Sequence, residues 1–143
     1  MPTELPVQFR PMTVEDLAAA REMWSHTPGV ELAEGDKVEE LESYLQRNWN
    51  LSQVAFFENK LIGAILVGHD GRRGILYHLA VNEGHRGKGI GRKLAENGLC
   101  ALRSDGVSRA LLLVDRENNN RSHFWKSLGW ESLSFADPMG IDL

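Results

Sequence analysis

The chain has 143 residues, 42% of them hydrophobic and 25% charged, a length and balance that suit one compact domain with its own core. Sixteen Lys and Arg against twenty Asp and Glu leave a formal charge of −4, which argues against a nucleic-acid-binding surface. The single cysteine, Cys100, excludes an intrachain disulfide and a zinc site built on several thiolates, and no apolar run is long enough to span a bilayer.

The N-terminal MPTELPVQFRP lacks the apolar stretch of a secretory leader, so a cytoplasmic enzyme or binding domain is expected. Val7–Arg10 alternates apolar and polar, as a half-buried strand does, and Pro11 stops it. Thr13 precedes Val14, Glu15 and Asp16, a capping box with Asp in place of Glu. Leu17, Ala20 and Trp24 follow at helical spacing, so a helix is predicted over 13–25, broken by Thr27-Pro28-Gly29. An acidic loop with Glu31 and Glu34 leads to Asp36, which is expected to cap a second helix with Glu39 at the box position. Val38, Leu41 and Leu45 mark the apolar stripe of that helix.

Two strands, Gln53–Phe57 and Leu61–Val67, are joined by the tight turn at Glu58-Asn59-Lys60. A second turn, Gly68 to Gly74, is anchored by Asp70-Gly71. Ile75–Val81 is apolar on both faces apart from His78, and should be a central, buried strand. A helix over 89–104 presents Gly91, Leu94, Ala95, Gly98, Leu99 and Leu102 on one face, with Gly106 as its stop. Each glycine in that face weakens the helix by roughly 1 kcal/mol relative to alanine, so close approach to a sheet or ligand is expected there. A buried strand at Ala110–Val114, a helix at 118–128 and one or two strands in Trp130–Leu143 complete the order β-α-α-β-β-β-α-β-α-β.

Arg86-Gly87-Lys88-Gly89-Ile90-Gly91 lies where the buried strand gives way to the long helix. The opening N–H groups of a helix have no partner within it, and the helix dipole favours an anion at that end. Glycines let the main chain approach closely, and Arg86, Lys88 and Arg92 add positive charge suited to phosphates. The spacing does not fit a Walker A loop, which ends in Gly-Lys-Ser/Thr. It also does not fit the dinucleotide fingerprint, which belongs to a first βα turn and has glycines at other intervals.

The strand, loop and helix LAVNEGHRGKGIGRKL resembles the acetyl-CoA motif of the GNAT (Gcn5-related N-acetyltransferase) superfamily, Arg/Gln-x-x-Gly-x-Gly/Ala, with Arg86, Gly89 and Gly91 at the fixed positions. A second stretch, Asn118 to Trp130, resembles the family's Asn-x6-Tyr-x3-Gly-Phe. The likeness covers essentially the whole chain and is greatest to small bacterial single-domain members of unassigned substrate. It implies a mixed, mostly antiparallel sheet flanked by about four helices, in one domain spanning 1–143.

The resemblance implies acetyl transfer from acetyl-CoA to a primary amine by direct attack, with no metal and no membrane or nucleic-acid partner. It places the pantetheine arm along Leu79, Ala80 and Val81, with a backbone N–H near Leu79 for the developing oxyanion. The pyrophosphate would lie on the amides of Arg86, Gly87, Lys88, Gly89, Ile90, Gly91 and Arg92. Asn118 would hydrogen-bond the cofactor arm, or else cap the last helix. Trp125 stands where the family usually has a tyrosine that protonates the leaving thiolate. An indole can line the thioester pocket but has no such acid to give. Some relatives carry a glutamate base at a position that falls on Leu113 here. His78, on the central strand, is then the candidate base, or else a core histidine held by hydrogen bonds. Glu31 and Glu34, in the loop between the first two helices, offer an alternative catalytic pair that binds or deprotonates the amine, directly or through water, or else a solvated acidic loop. His85 is expected to face solvent, and Cys100 to pack. A non-catalytic CoA-binding or sensor domain is the alternative. The apolar C-terminal stretch suits edge pairing in a homodimer.

Overall fold

A computed structural model describes residues 6–143; residues 1–5, which open the segment read as lacking a leader, lie outside the described residues. The described chain divides into two compact units, one ending at Leu113 and one running from Val114 to Leu143.

In the first unit the elements are β1 (Gln8–Pro11), α1 (Leu17–Ser25), α2 (Val38–Arg47), β2 (Gln53–Phe57), β3 (Lys60–His69), β4 (Gly74–Val81), α3 (Ile90–Ser104) and β5 (Ala110–Leu111). The five strands form one sheet in chain order, antiparallel from β1 to β4, with β5 parallel to β4. Among the described residues, no helix is long and apolar enough to cross a membrane.

The predicted capping box forms: Asp16 accepts from the Thr13 N–H at 2.8 Å, over a 3-10 turn at Val14–Asp16 that leads into α1. Burial works against ionising the Asp16 carboxyl. Hydrogen bonds from Arg10 and Thr13 outweigh it and hold its pKa below the usual carboxylate range. Asp36, by contrast, does not cap α2. The cap is Lys37, whose N–H is taken by Glu40 at 3.2 Å, one residue later than expected. The β2–β3 turn holds both Glu58 and Asn59 at positive φ, the backbone of a tight two-residue hairpin loop.

The alternation of β3 sorts its neighbours. Ala64 and Leu66 join the core made by Leu17, Ala20 and Trp24 of α1 with Leu41 and Leu45 of α2. Gly63 and Val67 lie on the opposite face, under α3, where a Cβ on Gly63 would stand 2.9 Å from Leu94. Gly98 answers the expense noted in the sequence of α3: a Cβ there would lie 2.8 Å from Val67 Cγ2, so the helix can approach the sheet only with hydrogen at that position. Replacing Gly98 with Leu is therefore expected to destabilise the fold by about 3 kcal/mol through overpacking, despite the better helix propensity. Denaturant unfolding measures this, and a gain in stability would contradict the packing. The C-terminus of α3 closes with Gly106 N–H on Arg103 O and Val107 N–H on Leu102 O, a Schellman pair.

Three strand expectations are corrected. β4 is central but not buried throughout, because Tyr77 is 41% exposed. β5 is two residues long rather than five, and Leu113 beyond it is 74% exposed. In the second unit, α4 (Asn119–Ser127) falls within the helix expected over 118–128, but residues 130–143 form no strand. Phe135, Met139, Ile141 and Leu143 are exposed there. Strand propensity is realised only where a neighbouring strand accepts the pairing, and none does so here. Cys100 faces solvent instead of packing.

Candidate active site

The register of β3 against β4 slips by one residue: Ala64 pairs with Ala80, but Leu66 pairs with Tyr77. One extra residue is thus accommodated in β4, a bulge. Tyr77 and Ala80, three apart, consequently share the face that carries α1 and α2. His78 sits inside the bulge with φ +55, a left-handed conformation that costs a non-glycine residue on the order of 1–2 kcal/mol. The bulge turns its ring toward α1, where it lies 5.3 Å from the Trp24 ring.

His78 Nε2 stands 3.0 Å from Asp36 Oδ1, across 42 residues of sequence. The two side chains are 17% and 12% exposed. Asp36 is held in turn, because its Oδ2 accepts from the Ala33 N–H at 2.9 Å and its main-chain carbonyl accepts from Arg21 Nε at 3.0 Å. No local pattern of residues marks this pair. Glu31 and Glu34, on the same loop, are exposed. That is the solvated arrangement.

The pairing of β5 with β4 covers only Gly74 and Ile75, so the strands part before the stretch Leu79, Ala80, Val81. Val81 O accepts from Arg86 Nε at 3.0 Å, which ties the following loop to the end of β4. Arg86 is therefore engaged with the main chain rather than reaching outward. Gly87 and Gly89 have φ of +78 and +80, and a Cβ on either would meet nothing within 4 Å. The space over them is open, which is what close approach by a bulky anion requires. Gly89 is the N-cap of α3, and the first helical bond runs from Lys93 N–H to Gly89 O. The N–H groups of Ile90, Gly91 and Arg92 precede it. Lys88 is exposed; Arg92 pairs with Glu96 at 3.1 Å in an exposed i,i+4 contact, which holds it loosely. His85 does not face solvent as expected. It is half-buried against Phe57, and its Nδ1 is buried with no hydrogen-bond partner.

In the second unit, Asn118 caps α4: its Oδ1 accepts from the Arg121 N–H at 3.1 Å. The capping role is thus real, and it leaves the Asn118 NH2 for a ligand. Trp125 is 7% exposed and packs edge-on against Phe124 and Trp130. Among the described residues, no group of three or more His, Cys, Asp or Glu side chains is arranged to hold a metal ion.

Comparison with known proteins agrees with the fold. The sequence profile of the Acetyltransferase (GNAT) family matches residues 15–130. Acetyltransferase plu1384 of Photorhabdus laumondii is 26% identical, over 95% of this chain and 98% of its own length. Among solved structures, Ard1 from Thermoplasma volcanium superposes with a TM-score of 0.77 at 17% identity, covering 87% of this chain and 82% of that one. The PaiA N-acetyltransferase from Thermoplasma acidophilum, in complex with coenzyme A, gives 0.71 at 22% identity, covering 87% and 89%.

Proposed function

The chain belongs to the GNAT acetyltransferase family, and on that premise we propose that it is an N-acetyltransferase carrying an acetyl group from acetyl-CoA to a primary amine. The observation that carries the reading is the opening of α3: three successive N–H groups without helical partners, behind glycines whose exposed side is open. When bound, acetyl-CoA supplies an activated thioester carbonyl for attack by an uncharged amine.

The amides from Arg86 to Arg92 would hold the diphosphate, and Lys88 would add charge. The main chain of Leu79, Ala80 and Val81, where β4 and β5 part, would carry the pantetheine arm. For the unit from Val114, the same reading gives Asn118 a hydrogen bond to that arm and Trp125 a place in the thioester pocket, without acid chemistry. His78 would take the proton that the ammonium must lose before attack. Glu31 would act only from a distance, drawing a cationic amine toward the acidic α1–α2 loop. Residues 1–143 are read as one catalytic domain, placed in the cytoplasm, with a homodimer formed through the exposed apolar C-terminal stretch.

The alternative, a CoA-binding domain without turnover, draws on Trp125 and Leu113, where relatives have reactive groups. A panel of amines and peptides incubated with acetyl-CoA decides between them. We expect one acceptor to gain 42 Da of acetyl mass, about what replacing an amine hydrogen with acetyl adds, together with stoichiometric free thiol. CoA binding with no acetylated product from any acceptor would favour the sensor reading.

A further inference from the structure

The Asp36–His78 pair is the most enclosed of the three His–carboxylate contacts among the described residues. The other two, His26–Glu22 and His69–Asp105, lie at the surface. We propose that Asp36 is a positioning residue: its carboxylate keeps the ring proton of His78 on Nε2 and so presents Nδ1 as the basic atom. This rests on the reading of His78 as the base.

Hydrogen-bond arithmetic fixes which ring nitrogen carries the proton. An ionised carboxylate has lone pairs and no proton to give, so the hydrogen in the 3.0 Å contact belongs to Nε2. Neutral imidazole carries one ring hydrogen, which leaves Nδ1 with its lone pair. The contact with Asp36 is made through Nε2, so Nδ1 is the ring nitrogen left for the amine. During transfer, the N–H bond of the ammonium breaks and an Nδ1–H bond forms. The resulting imidazolium stays beside the Asp36 carboxylate until Nδ1 returns the proton to solvent. The groups around the ring are Asp36 from the α1–α2 loop, Trp24 from α1 and the neighbouring Tyr77. Arg21 is engaged on the Asp36 main chain.

Asp36 is built for this role rather than for helix capping. The cap of α2 is supplied by Lys37 and Glu40, so the Asp36 side chain is released from it. Its second oxygen is occupied by the Ala33 N–H at 2.9 Å, and that contact fixes what a substitution does. In Asp36→Asn the amide has one oxygen and one NH2. The oxygen is required by the Ala33 N–H, so the NH2 must face His78 Nε2. Two donors cannot meet there, and the ring responds by moving its proton to Nδ1. The lone pair then lies on the wrong nitrogen.

The test combines nitrogen NMR of the His78 ring, at mildly alkaline pH without cofactor, with kinetics on an acceptor that the enzyme turns over. We expect the Nε2–H tautomer in the wild type and the Nδ1–H tautomer in Asp36→Asn. We also expect kcat to fall about 100-fold in that variant, within the range of general-base effects. KM for acetyl-CoA should change less than about twofold, since no cofactor-binding group is touched. An Nδ1–H tautomer in the wild type overturns the proposal without any variant being needed. So does Asp36→Asn with wild-type kcat while His78→Asn is inactive. Wild-type kcat in His78→Asn is a different result: it removes the base itself, and the positioning role with it.

Discussion

Gly89→Glu is expected to abolish coenzyme A binding while the protein still folds. Gly89 is the N-cap of α3 at φ +80, and a Cβ added there meets nothing within 4 Å. The cost to the fold is therefore backbone strain alone, on the order of 1–2 kcal/mol. The cost to binding is much larger. The new carboxylate occupies the open side of the loop and places negative charge at the helix terminus that would otherwise attract the diphosphate. Calorimetric titration with coenzyme A should show affinity reduced by at least about 100-fold, which corresponds to roughly 2.7 kcal/mol. Gly89→Ala separates the two effects, because it adds the strain with little bulk and no charge. A Gly89→Glu protein that binds like the wild type would take the loop out of the cofactor site.

His78→Asn carries the second large effect. Asparagine is the substitution of choice because, like histidine, it tolerates the left-handed backbone imposed by the bulge at φ +55. The fold then loses the ring's contacts with Trp24 and Asp36 but gains no strain. Loss of a general base lowers kcat by about 100- to 10,000-fold. The deficit should shrink as pH rises through the acceptor amine's own pKa, since a larger fraction of the amine is then uncharged without help. Steady-state rates of both proteins across that range measure it. A constant ratio at every pH would mean that His78 supports the fold and not proton removal.

Much of this architecture was legible because its signals are local. Leu94, Ala95, Gly98 and Leu102 recur at helical spacing, and all are buried in α3. Asp70 forms its turn by accepting from the N–H groups of Arg72 and Arg73, as an Asp-Gly pair suggests. Arg86 to Gly91 could be recognised since residue type and order alone define such a loop. What escaped the sequence depends on distant partners. No residue near Asp36 announces His78, and an aspartate before a helix looks like a cap until Lys37 and Glu40 are seen to supply it. The bulge in β4 is invisible in a run that reads as uninterrupted strand, because it arises from the mismatch of Ala64–Leu66 against Tyr77–Ala80. Leu113 and the stretch after Trp130 have strand-like composition, but composition does not provide a pairing edge.

The loop with which α3 opens is the centre of the account, and titrating isotope-labelled wild-type protein with coenzyme A tests it most directly. The amide signals of Ile90, Gly91 and Arg92 are expected to shift most, together with those of Leu79 to Val81. Largest shifts instead around Gln8, Arg10 and Phe56, which line a surface depression on β1 and β2, would contradict it, as would no shift at all.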